Sequence, residues 1–94
     1  MPRAIWRDRV LAQSDRCIEL EGNVYFPLPS VRQEFLRPSA TVTRCAWKGE
    51  ARYFDVVVDG AVNPDAAWYY PDPSPAAELI RDHVAFWRGV EIID

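Results

Sequence analysis

The feature that constrains the fold most is the shortness of every regular segment, because no helical apolar period runs beyond about two turns. Short runs of β-branched and aromatic residues alternate with turn signals along all 94 residues. The sequence therefore predicts a mainly β fold, with about eight short strands in two antiparallel sheets or a barrel, and two short helices, rather than a βαβ fold. The segments with strand character are Arg3–Trp6, Arg9–Gln13, Cys17–Glu21, Val24–Phe26, Ala40–Cys45, Ala51–Val58, Ala61–Val62, Ala66–Tyr70, Val84–Trp87 and Val90–Ile93.

Four dipeptides mark the turns between these segments. Asp59-Gly60 is the strongest hairpin signal, because a type I′ turn needs positive φ at both central residues and this pair supplies it at low cost. Lys48-Gly49 predicts a second turn, and Asn63-Pro64 predicts the end of a short strand. Arg88-Gly89 predicts a closing hairpin between the last two strands.

Two short helices and one extended linker complete the predicted elements. Ser30 has the side chain of a helix cap, and the helical turn that it begins is expected to end at Leu36. The three prolines of Pro71–Pro75 predict an extended linker at the surface. Ala76–Asp82 has the composition of a second helix of about two turns.

Length and charge limit the classes of function. A chain of 94 residues predicts one domain, residues 1–94, with a single core. No apolar run approaches the roughly 20 residues of a membrane span, and the polar residues near the start leave no room for a signal peptide, so we expect a cytoplasmic protein with no membrane association. The net charge of −3 argues against nucleic-acid binding, which needs a basic face.

The two cysteines are candidates for chemistry. Cys17 and Cys45 have no second thiol near them in sequence, so no metal site is predicted and both are expected to be free. Cys45 lies two residues from Trp47 and beside Lys48, and a nearby ammonium lowers a thiol's pKa toward nucleophilic use. The alternative is a small buried hydrophobic residue, which is the usual role of a free cysteine.

The aromatic residues predict either a pocket or a core. Trp68 and Tyr70 share one face of a strand while Tyr69 faces the other way. If Trp68 and Tyr70 join Trp47 and Tyr53, these rings form a wall suited to a flat heterocycle or a cation. The same residues would also serve as the large core side chains that a small domain needs.

A pair of carboxylates on one strand, here Asp55 and Asp59, suggests metal-dependent phosphoryl transfer. Both fall on one face of a strand, but they stand roughly 13 Å apart, too far to share metal ions about 4 Å apart. We therefore interpret Asp55 and Asp59 as solvated charges that flank a hairpin. Asp65, after Asn63-Pro64, either caps a turn or receives a ligand amine.

Several of these segments together resemble the bacterial domain-of-unknown-function family 427. The similar segments are Val24–Pro27, Leu36–Ser39, Cys45–Gly49, Val62–Pro71 and Val84–Trp87, and they span nearly the whole chain. One departure is Ala46, since the family's thiol motif usually has proline at this position. The resemblance implies a β-tent fold, in which two antiparallel sheets meet at an angle.

The resemblance does not supply a function. Relatives with β-tent folds bind zinc through two CxxC pairs, reduce methionine sulfoxide with a cysteine, or hold small cyclic ligands in an aromatic cage. This chain lacks the CxxC pairs, so no zinc and no other cofactor is expected. The family also carries a nucleotidyltransferase label, which the spacing of the carboxylates above does not support.

Three functional hypotheses remain open, and the oligomeric state is not predicted. The leading one is a small-molecule site lined by Tyr25, Trp47, Tyr53, Trp68 and Tyr70, with Lys48 and Asp65 as polar anchors. The second is an enzyme that uses Cys45 as its nucleophile or redox centre, assisted by Lys48. The third is a protein-interaction module that uses exposed aromatic residues or the proline linker.

Overall fold

Nine strands in two antiparallel sheets form the fold in the computed structural model, which describes residues 1–94. The strands are β1 (Arg3–Trp6), β2 (Arg9–Gln13), β3 (Ile18–Leu20), β4 (Asn23–Pro27), β5 (Leu36–Cys45), β6 (Gly49–Val58), β7 (Ala61–Tyr69), β8 (His83–Phe86) and β9 (Glu91–Ile93). One sheet has the order β2-β1-β9 and the other β3-β4-β8-β7-β6-β5. The predicted mainly β fold with two antiparallel sheets is confirmed, and neither sheet closes into a barrel.

Both predicted β-hairpins of β5 to β7 form, with the first turn shifted by one to two residues from Lys48-Gly49 and the second at Asp59-Gly60. Asp59 and Gly60 have φ of 51° and 82°, and they join β6 to β7 as a type I′ turn requires. In the β5–β6 hairpin Cys45 pairs with Gly49, so the turn occupies residues 46–48 and Gly49 already belongs to β6.

The strand end predicted at Asn63-Pro64 is wrong, because β7 continues through it to Tyr69. The pairing of β6 with β7 shifts register between Phe54 and Val56, so the proline falls where the sheet needs no N–H donor. The Asp65 backbone N–H donates to Asp55 Oδ1 at 2.9 Å instead of to a strand carbonyl. The Asp55 carboxylate thus takes the place of the strand carbonyl that would otherwise accept from the Asp65 N–H.

Both predicted helices are short 3-10 segments, at Leu28–Ser30 and Gln33–Phe35 for the first and at Pro75–Ile80 for the second. The Ser30 hydroxyl donates to the Pro27 carbonyl at 2.6 Å, so it does not cap a helix. The second segment is kinked at Ala77, which has a non-helical φ of −115°. None of the helical segments has the length and apolar character that a membrane crossing needs.

The closing hairpin predicted around Arg88-Gly89 is also wrong. Both residues have the positive φ of a turn, but the two strands that flank them lie in different sheets. The Trp87 N–H donates to the Ala66 carbonyl at 2.9 Å, which extends the pairing of β8 with β7. After the turn, β9 pairs with β1 instead, so the turn carries the chain from one sheet to the other.

Strand alternation directs the side chains of the six-stranded sheet to two faces, each with its own buried cluster. The cluster on the first face contains Leu11 of β2 and Phe26 of β4, and it lies between the two sheets. The cluster on the second face contains Tyr25 and Tyr70, and Ile80 of the Pro75–Ile80 segment packs onto it. That short segment covers part of the second face, and the rest of this face carries the candidate site.

Candidate functional site

The uncovered part of the second face forms a cleft of about 260 Å³. Tyr53 of β6 pairs in register with Trp68 of β7, and Trp68 pairs with Ala85 of β8, so all three side chains reach the same face. The residues that line this aromatic cleft are Asn23, Lys48, Tyr53, Trp68, Tyr70 and Trp87. Four rings, one amide and one ammonium therefore meet on one side of the sheet.

Lys48 is the only charged residue that lines the cleft, and it is 7% exposed. Its Nζ lies 5.5 Å from the ring centroid of Trp47 and 5.5 Å from that of Tyr70, within the range of cation–π attraction. It also forms an ion pair with Glu21, which follows β3. A buried ammonium is thus held by two rings and one carboxylate.

The protonation of Lys48 follows from these contacts. Burial alone would lower the pKa of Lys48, but the hydrogen bond to Glu21, followed by the charges of Tyr25 and Tyr70 where these phenols ionise and the charge of Glu21, outweighs burial, so its pKa lies above the ordinary lysine value. Lys48 is therefore an ammonium at neutral pH. In this state it attracts anions and does not act as a general base or as an amine nucleophile.

Glu21 provides a pH-dependent signal for this ion pair. Its hydrogen bond with Lys48, and a weaker one at 3.2 Å from Trp47 Nε1, hold the pKa of Glu21 below the ordinary glutamate value. We expect the Trp47 indole N–H resonance to titrate with a midpoint below that value. The stabilisation from Glu21 is present at neutral pH and is lost as pH falls through its lowered folded-state pKa.

The variant Lys48→Met tests the cause of that midpoint. It removes the charge and keeps an unbranched side chain, so the Trp47 resonance should then titrate at a higher pH, closer to the ordinary glutamate value. A midpoint that stays unchanged in Lys48→Met would show that Lys48 does not set the pKa of Glu21.

The floor of the cleft is formed by Trp68, whose ring is hydrogen-bonded to Tyr25 beneath it. Trp68 Nε1 donates to the Tyr25 hydroxyl at 3.3 Å, and the two rings meet edge to face at 6.2 Å between centroids. Tyr25 is fully buried, and burial raises the pKa of its hydroxyl and that of Tyr70, so both phenols are neutral near pH 7. The Tyr53 hydroxyl is held by Thr43 at 3.0 Å.

One side of the cleft is built by Trp87. Its ring lies 5.7 Å from that of Trp68 at an interplanar angle of 78°, so the two indoles form a corner. Trp87 Nε1 donates to the Asp65 backbone carbonyl at 2.6 Å. The Asp65 carboxylate accepts from Ser39 at 2.5 Å and from Thr41 at 2.8 Å. Asp65 therefore positions the corner from behind and does not line the cleft.

The structure gathers some of the residues that the sequence singled out and not others. Tyr53, Trp68 and Tyr70 line the cleft together with Lys48. Tyr25 lies below the floor, and Trp47 packs on Lys48 and is 40% exposed without lining the cleft. Cys45 packs, half-buried, against the cluster on the second face and is free, as Cys17 is.

Sequence reasoning missed Asn23, Trp87 and Glu21. Trp87 carries a usable signal, since it lies two residues after Ala85 and alternation places it on the same face. Asn23 likewise lies two residues before Tyr25. Glu21 offers no such signal, because 27 residues separate it from Lys48 and only the fold brings the two together.

The two strand carboxylates hold separate ion pairs. Asp55 accepts from Arg37 at 2.9 Å, and Asp59 lies 3.4 Å from Arg9. The pKa of Asp55 is lowered mainly by the hydrogen bond from the Asp65 backbone N–H and further by the hydrogen bond from Arg37. The chain contains no group of three or more His, Cys, Asp or Glu side chains arranged to hold a metal ion.

Comparison with known proteins identifies a family. No curated protein matches the chain. A family model described as a domain of unknown function, DUF427, matches residues 2–93, which is nearly the full length. The resemblance seen in the segments between Val24 and Trp87 is thereby confirmed, and the chain belongs to the DUF427 family.

Proposed function

We propose that this chain binds a small molecule with a planar ring in the aromatic cleft. The observation that carries the proposal is the corner formed by Trp68 and Trp87 beside the buried ammonium of Lys48. Ligand sites are mostly apolar and aromatic, with a few polar groups that fix orientation, and this cleft has that composition. Its volume of about 260 Å³ suits a ligand of one or two rings.

The exposure of Trp87 supports a binding role over a purely structural one. Rings that serve only as core side chains are covered, whereas Trp87 is 44% exposed although it is fixed by a hydrogen bond to Asp65. An indole that is both oriented and open to solvent suits contact with a ligand. Trp68 and Tyr70 supply the covered part of the same wall.

A thermal-shift screen of planar metabolites tests the proposal. A ligand that binds only the folded state adds RT ln(1 + [L]/Kd) to the free energy of unfolding, which raises the melting temperature. At a ligand concentration near the wild-type Kd, we expect Trp87→Ala to lose most of the shift that a given hit produces in the wild type. Loss of the Trp87 ring should weaken binding by roughly 1 kcal/mol or more, which is about a fivefold to tenfold increase in Kd.

Trp6→Ala is the control. Trp6 lies on β1 of the other sheet, does not line the cleft and makes none of the contacts that hold Lys48. This variant should therefore keep the ligand-induced shift. A hit that stabilises the wild type and Trp87→Ala equally would place the binding elsewhere and contradict the proposal.

A further inference from the structure

The charges around the aromatic cleft differ in how easily they return to water. The Lys48 side chain is 9% exposed and is enclosed by two rings, whereas the Glu21 side chain is 46% exposed. A buried ammonium needs a counter-charge, because desolvation without one is costly. Glu21 can be rehydrated without leaving its turn, so another anion can take its place on Lys48.

The lining of the cleft disfavours a cationic ligand. Aromatic rings attract cations, but here the lining ring of Tyr70 and the neighbouring ring of Trp47 already face the Lys48 ammonium. A second cation in the same cleft would meet that charge at short range. The carboxylate that pairs with Lys48, that of Glu21, does not line the cleft, so it offers the second cation no partner there.

Resting on the proposed binding function, we infer that the ligand of the aromatic cleft is a planar ring that carries an anionic group, and that this group replaces Glu21 on Lys48. The ring occupies the corner of Trp68 and Trp87 while the anion meets the ammonium. Asn23, at the start of β4, adds an amide that donates to an anion or accepts from its substituents. Selectivity for charge then comes from Lys48 and selectivity for shape from the rings.

Three probes with the same ring separate charge from shape. They are 2-naphthoate, 2-naphthamide and 2-naphthylmethylammonium, which carry one negative charge, none and one positive charge. Each is titrated into the ¹⁵N-labelled protein while the four tryptophan indole N–H resonances are followed. The resonances of Trp68 and Trp87 should move with saturation, whereas that of Trp6, on β1 of the other sheet, should not. We expect naphthoate to bind at least tenfold tighter than the amide, and the ammonium to bind most weakly.

Two variants test the role of each charge. Lys48→Met should weaken naphthoate binding at least tenfold and leave the affinity for naphthamide unchanged. Glu21→Gln should strengthen naphthoate binding severalfold, because it removes the competing carboxylate. A purely structural role for the ion pair predicts the opposite for Glu21→Gln, namely weaker binding of both probes. The wild-type probe series and Glu21→Gln keep the test decisive if Lys48→Met does not fold.

The outcomes separate this inference from the proposed function. If naphthamide binds the cleft as tightly as naphthoate, or the ammonium binds tightest, the cleft binds planar ligands without selecting anions and the inference is wrong. Weaker binding of naphthoate to Glu21→Gln also overturns it. If none of the three probes moves the Trp68 and Trp87 resonances, the proposed function fails and the inference fails with it.

Discussion

Tyr25→Ala is expected to lower the free energy of unfolding by about 3–5 kcal/mol, which is the usual cost of deleting a large buried aromatic side chain. Tyr25 is fully buried in the cluster on the second face, where Ile80 and Ala85 also lie. The variant would leave a cavity under Trp68 and remove the acceptor of its indole N–H. Urea denaturation followed by tryptophan fluorescence measures the loss.

Tyr25→Phe is the matched control for that cavity. It keeps the ring and the edge-to-face contact with Trp68, and it removes only the hydroxyl. The expected loss is about 1 kcal/mol, because one partly buried hydrogen bond is broken. If Tyr25→Phe destabilised the protein as much as Tyr25→Ala, the packing of the ring would not be the main contribution of Tyr25.

Gly49→Ala is expected to destabilise the protein by about 3 kcal/mol, from backbone strain and a steric clash together. Gly49 has a φ of +114°, which L-residues rarely adopt, and an added Cβ would lie 3.3 Å from the Asp72 carbonyl oxygen. The linker that contains Asp72 is held to the same turn, since the Ser74 N–H donates to the Lys48 carbonyl at 2.9 Å. The methyl group would therefore strain a contact beside the cleft.

Gly60→Ala separates the two causes. Gly60 also has a positive φ, of +82°, but no atom lies within 4 Å of its added Cβ. Its expected cost is about 1 kcal/mol, from backbone strain alone. Equal melting temperatures for the two alanine variants would mean that the close approach of the added methyl group at residue 49 to the linker costs nothing.

Much of the fold follows from local sequence. The type I′ turn at Asp59-Gly60 and the β-branched residues on both sides of it determine the β6–β7 hairpin, because turn geometry and strand propensity agree there. The alternation of Trp68, Tyr69 and Tyr70 also follows from strand geometry, and Tyr69 stacks on Phe54 at 5.1 Å on the opposite face. These features depend only on neighbours in the chain.

The errors arise where distant partners replace local preferences. Arg88-Gly89 has the residues of a hairpin turn, but β1 offers β9 a partner that no local pattern reveals. Pro64 usually ends a strand, but here β7 continues past it, and the N–H of the next residue, Asp65, donates to the Asp55 carboxylate in place of a strand carbonyl. The Ser30 hydroxyl has a carbonyl partner, so it does not begin a helix.

The candidate site shows the same division. Tyr53, Trp68 and Tyr70 were identifiable because they lie on neighbouring strands of a predicted sheet. The ion pair of Glu21 with Lys48 was not, since it joins two hairpins whose relative placement depends on the whole six-stranded sheet. Ion pairs between distant strands are therefore the part of such a site that cannot be predicted from the sequence.

Because the chain passes from β8 to β9, the position of one side of the cleft depends on the three-stranded sheet. Trp87 forms one side of the cleft, and within a few residues the chain has joined β1 in the three-stranded sheet. A small rotation of one sheet against the other would therefore swing the Trp87 indole relative to Trp68 and open or narrow their corner. Substitutions at the β1–β9 pairing, none of whose residues lines the cleft, would then change the shape of the proposed site without altering its lining.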